Sequence, residues 1–144
     1  MAKRSWLLPW AFLLAGLVLG AGLQATRAAG AQVPAKVFEI RTYHTFPGRL
    51  DALHKRFREH TLKMFEKHGM TNVGYWVPQD SPARENTLIY VISHQSREAA
   101  KASWAAFIAD PEWKKIADAS QVDGKIVERI ESVYMDATDY SPLR

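Results

Sequence analysis

The chain has 144 residues, 47% hydrophobic and 24% charged, a globular composition that fits one domain. It contains no cysteine, which excludes a disulfide framework, a thiol nucleophile and cysteine-ligated metal. Of its 19 Lys and Arg residues, Lys3, Arg4 and Arg27 precede residue 32; the remaining 16 face 15 acids, so the basic pI is no pointer to nucleic acid.

Lys3 and Arg4 stand before an apolar run from Trp6 to Leu23, and small residues at Thr26, Ala28, Ala29 and Ala31 suit signal peptidase. The pattern predicts an export segment over 1–31, either cleaved or kept as an inner-membrane anchor over residues 6–23. The remainder of the chain is then periplasmic or secreted, and touches a membrane only through that segment if it is uncleaved. Residues 32–36, with Pro34, read as a linker to a domain over 37–143.

Val37 to His44 alternates as a strand does: Phe38, Ile40 and Thr42 point one way, Glu39, Arg41 and Tyr43 the other. Pro47-Gly48 makes a turn. From Leu50 to His68 apolar residues recur at helical spacing through Leu53, Phe57, Thr61 and Met64, with Lys55, Arg56, Arg58, Glu59 and Lys63 expected on the exposed side. Gly69 is the expected C′ residue. Thr71 to Val77 and Thr87 to His94 read as an antiparallel pair, the second densely apolar and so central. A second helical stretch starts near Arg97 and restarts at Asp110-Pro111-Glu112, an N-cap, an N1 proline and a first-turn acid. Gly124 breaks the chain before a last strand, Lys125 to Met135.

The order βαββαβ is the α+β, ferredoxin-like arrangement: a four-stranded antiparallel sheet with helices on one face. The bare face is expected to carry Glu39, Arg41, Tyr43, Trp76, Tyr90 and Tyr134. A second copy packed sheet to sheet would cover it, giving a homodimer, a dimeric α/β barrel, with a partly polar cavity.

Glu39-Ile40-Arg41-Thr42-Tyr43, Pro47-Gly48-Arg49-Leu50, Gly74-Tyr75-Trp76, Asp110-Pro111-Glu112-Trp113 and Ser141-Pro142-Leu143 succeed one another in an order that resembles the NIPSNAP family. The resemblance runs from Val37 to Leu143. It implies a dimeric α/β-barrel fold, in a superfamily that includes cofactor-independent monooxygenases and haem-dependent members.

Within the expected cavity, Glu39, Arg41, Tyr43, Trp76 and Tyr90 are the candidate ligand-binding residues, for a small aromatic or anionic molecule. Glu39 with Arg41 reads equally as a structural ion pair, and Tyr43 as a packed strand tyrosine. His44 and His94 end neighbouring strands and could meet at one sheet end; with Tyr43 they are the candidate proton acceptors of an enzyme. His54, His60 and His68 lack helical metal-site spacing, so no metal is expected. No phosphate loop, dinucleotide fingerprint or haem-attachment motif is present, and no cofactor or nucleic-acid partner is expected. Three functions fit: a small-molecule binding domain, a monooxygenase- or isomerase-like enzyme, and a non-catalytic interaction scaffold.

Overall fold

The computed structural model describes residues 36–143; the expected export segment lies outside them. Four strands form one antiparallel sheet: β1 Val37–Thr45, β2 Thr71–Trp76, β3 Thr87–His94 and β4 Val127–Asp136, in the spatial order β2-β3-β1-β4. The two crossovers are helical. The first comprises α1 Leu50–Arg56, a π-helical turn Phe57–Thr61 and α2 Leu62–Lys67; the second comprises α3 Arg97–Ala109 and α4 Pro111–Ala119. This is the ferredoxin-like topology expected from the order of elements. No helix among the described residues is long and apolar enough to cross a membrane.

Local chemistry accounts for the boundaries. Ser96 caps α3 by accepting from the Ala99 amide, and Asp110 caps α4 by accepting from the Glu112 amide with Pro111 at N1. Gly69 leaves α2 at a φ of 75°, a left-handed conformation that costs a Cβ-bearing residue strain. The first helix departs from the single regular element expected over 50–68. Its wide turn carries the Leu62 amide to the Phe57 carbonyl, and the Thr61 hydroxyl donates to the Arg56 carbonyl at 3.2 Å.

The core lies between sheet and helices and is largely aromatic. Leu53, Phe57, Met64 and Phe65 descend from the first crossover onto Tyr43, Leu88, Tyr90 and Ile92, and Phe107 closes the far side. Phe57, Phe65 and Tyr75 all lie with ring centroids 5.3–5.8 Å from Tyr90, within the range of favourable aromatic pairing.

One expectation about the sheet is reversed. Glu39, Arg41, Tyr43, Tyr90 and Tyr134 face the helices, not the bare side. Trp104 of α3 donates to Glu39, Phe57 packs against Tyr43 and Tyr90, and Arg97 of α3 lies over the Tyr134 ring. The acid and the guanidinium neutralise each other, and Trp104 of α3 and Ser132 of β4 supply further donors, which offsets the burial of Glu39. Alternation then turns Phe38, Ile40 and Thr42 to the other face with Ile89, Val91 and Val133, which pair beside them. Of the six residues expected on that side, Trp76 alone is there, 53% exposed and folded over Gly74.

Candidate functional site

The first strand delivers its polar row into a network centred on Glu39. Glu39 is fully buried, yet all its carboxylate capacity is used: Oε1 accepts from Arg41 Nη1 at 2.7 Å and Ser132 Oγ at 2.6 Å, and Oε2 from Trp104 Nε1 at 2.7 Å. His94 Nε2 lies 3.0 Å from the same Oε2. Burial works to raise the Glu39 pKa, but the bonds from His94, Ser132, Trp104 and Arg41 outweigh it and bring the carboxyl down to about 2. Burial pulls Arg41 down in the same way; the phenolic oxygens of Tyr43 and Tyr90, with Glu39, outweigh it and hold the guanidinium above its usual value. Arg41 also stacks on Trp104, 4.2 Å from its ring centroid. A carboxylate with four partners has no capacity left for a ligand, and the network joins β1, β3, β4 and α3 as a structural tie.

The two candidate histidine bases do not meet. Antiparallel pairing sets His94 opposite Val37 and His44 opposite Thr87, so these strand ends lie at opposite ends of the sheet. His94 is sealed against Glu39, and His44 lies 3.3 Å from Glu131 on the bare face. Among the described residues, no His, Asp or Glu side chains converge in a group of three that could hold a metal.

The residue that sequence reasoning misplaces is Arg56. Its neighbours suggest one more solvated basic side chain of the first helix, but it is only 7% exposed. Its guanidinium has one weak bond, Nη1 to Ser120 Oγ at 3.4 Å, and lies 5.5 Å from the Trp113 ring centroid. Its Nε is buried without a partner, and no ion pair reaches it among the described residues. Burial accordingly lowers its pKa, against the influence of Tyr43 and Tyr90. The one sequence-level signal is its place directly after Lys55 and before Phe57: a three-and-four count from Leu53 and Phe57 leaves position 56 on the inner edge of the stripe.

Arg56 lines a cleft of about 690 Å³ between α1 and α4. Arg49, whose Nε is likewise buried and unpartnered, lies along it and donates through Nη2 to the Gly124 carbonyl at 3.0 Å. Lys55 and Lys115 add positive charge, Glu59, Glu112 and Asp123 negative charge, and Ala52, Ile116 and Val122 an apolar wall. A smaller cavity of about 270 Å³, with Phe57, Tyr75, Trp76 and Leu88 in its wall, opens at the β2 edge.

The fold and its sequence have recognisable relatives. The NIPSNAP family model matches residues 38–142. A NIPSNAP family protein of unknown function from Agrobacterium tumefaciens is similar in structure at a TM-score of 0.66 and 24% identity, over 77% of this chain and 96% of that one. An uncharacterised NIPSNAP-like domain protein from Burkholderia xenovorans is similar at 0.65 and 16%, over 76% and 90%. SnoaB, a cofactor-independent oxygenase from Streptomyces nogalater, is similar in fold at 0.51 and 13%, over 75% and 98%. No curated protein matches the chain.

Proposed function

The chain belongs to the NIPSNAP family, and we propose that it is an exported, homodimeric domain that binds a small anionic molecule in the cleft between α1 and α4. One observation carries the binding reading: Arg56 is a buried guanidinium with no counter-ion among the described residues. An unpaired buried charge costs several kcal/mol, and a protein that places one beside a cleft recovers part of that cost when an anion enters. The cleft volume falls within the range of small-molecule sites, which is roughly 300–1,000 Å³. The π-turn immediately after Arg56 supports the same reading, since such turns gather at functional sites.

Export rests on Lys3, Arg4 and the apolar run after them. The dimer rests on the face turned away from the helices, where Val133 is 57% and Trp76 53% exposed beside Ile40, Ile89 and Val91. A second copy set on that face leaves the α1–α4 cleft open, because the helices lie on the other side of the sheet. Light scattering should give twice the chain mass at micromolar concentration; a stable monomer there removes the dimer.

For binding, the measurement is titration calorimetry of the intact chain and of Arg56→Met with small carboxylates. Saturable binding that is lost in the variant is the expected result. Equal binding by both proteins removes Arg56 from the site and the reading with it.

A further inference from the structure

The same cleft also carries information about the class of its ligand. We infer that it takes a monocarboxylate with an apolar body, the carboxylate at Arg56 and the body along Ile116, Ala119 and Val122; this rests on the proposed anion binding. Three observations converge on it.

The first is charge. The lining holds four cations, Arg49, Lys55, Arg56 and Lys115, against three carboxylates, Glu59, Glu112 and Asp123, which leaves one positive charge with histidine counted as neutral. Glu112 is already paired with Lys67 outside the lining at 2.7 Å, so the cleft is net positive and favours an anion.

The second is the distribution of unmet donors. The buried nitrogens of the cleft without partners are Arg56 Nε and Arg49 Nε, on planar groups whose geometry suits a carboxylate. The Ser120 hydroxyl, next to Arg56, is already committed to the Ala117 carbonyl at 2.8 Å. The backbone amide of Ser120, which lines the cleft, is bonded to the Ile116 carbonyl at 3.0 Å, so it is not free to join a cradle of backbone amides of the kind that holds phosphate.

The third is the apolar wall. Ala52 faces the cleft from α1; Ile116 and Ala119 face it from α4, one helical turn apart. Val122 continues the row, and at 79% exposed it is an aliphatic side chain with little protein to cover it. An amphipathic ligand gives that row something to bury; a bare inorganic anion does not.

The test is a ligand series on the intact chain at constant ionic strength: acetate, hexanoate, octanoate, decanoate, naphthoate, decanol and inorganic phosphate. Affinity should rise roughly tenfold for every two to three methylenes, by the cost of exposing a methylene to water. Decanol and phosphate should each bind at least tenfold more weakly than decanoate. Naphthoate tighter than decanoate narrows the body to an aromatic one, and the reverse order narrows it to an aliphatic chain. Ala119→Glu, at an exposed position where folding is not at stake, should abolish decanoate binding by bringing in a fourth acid. Phosphate binding as tightly as decanoate with no dependence on chain length overturns the monocarboxylate inference and leaves the anion site standing. Decanol binding as tightly as decanoate, or decanoate binding undiminished in Arg56→Met, overturns both.

Discussion

Two arginines of this domain, Arg41 of β1 and Arg56 of α1, both lie against a tryptophan, but they differ in their counter-ions. Arg41 has a carboxylate at 2.7 Å and an indole face at 4.2 Å, and its charge is held in place. Arg56 has a serine hydroxyl at 3.4 Å and an unmet Nε, and its charge is penalised by burial. Both arginines bury an Nε without a partner, so the contrast lies in the counter-ion: the chain gives Arg41 a carboxylate and gives Arg56 none among the described residues. Burial and charge alone therefore do not mark a binding residue: the difference lies in whether the fold supplies the counter-ion.

Glu39 is where this contrast can be broken most severely. Glu39→Ala leaves Arg41 half-buried and unpaired, and the Ser132 and Trp104 donors without their acceptor. Breaking a buried pair from one side costs about 3–5 kcal/mol. A domain of this size is stable by about 5–15 kcal/mol, so the variant should unfold at a much lower denaturant midpoint or fail to accumulate. If chemical denaturation shows a loss below about 1 kcal/mol, the network does not tie the strands to α3, and Glu39 and Arg41 return as candidates for ligand contact.

Acid tests the same network without a mutation. A carboxyl whose folded pKa is about 2, against an ordinary value of 4.5, contributes stability that is complete above the unfolded value. That stability is lost as pH falls from roughly 5 towards 2, and a shift of this size corresponds to roughly 3 kcal/mol for this one group. Denaturant midpoints measured across that window should fall steeply in the natural chain. In Glu39→Gln the same window should be flatter, since no carboxyl remains to be protonated. Parallel curves for the two proteins would assign the acid sensitivity to other groups, Asp110 first among them, which bonds to Lys67 and the Glu112 amide.

The fold and the site differ in how legible they are from sequence, for physical reasons. The order of elements and the α4 cap are legible because they rest on local chemistry: Asp110 as cap, Gly69 as the exit from α2, alternation in β1. The direction in which β1 faces is not. Period-two alternation marks two faces without saying which is inner, and a row of Glu, Arg and Tyr reads as outward until its partners are known. Those partners, Trp104 and Ser132, lie 65 and 93 residues away in sequence. Arg56 is hidden by the opposite problem. It sits among Lys55, Arg58 and Glu59, all of them exposed, and their charge masks its place on the inner edge of the apolar stripe. Trp76 reaches the outer face because Gly74, two residues earlier, makes room for its ring.

The smallest expected effect is the most discriminating, and it concerns the stability of Arg56→Met without ligand. Replacing a paired buried charge is destabilising, but replacing an unpaired one with an apolar side chain of similar length removes a penalty and keeps the packing against Trp113. Loss of the 3.4 Å contact to Ser120 costs little, because the bond is long and Ser120 keeps its own bond to Ala117. The melting temperature should therefore stay within a few degrees of the natural chain or rise, while the corresponding change at Arg41 lowers it. Addition of a saturating carboxylate should then raise the melting temperature of the natural chain and leave that of Arg56→Met where it was, since a ligand stabilises only the state that binds it. A strong destabilisation by Arg56→Met would mean that the guanidinium already has its partner inside the fold. In that event the contrast between the two arginines disappears, and the cleft loses the one feature that distinguishes it from an ordinary groove between helices.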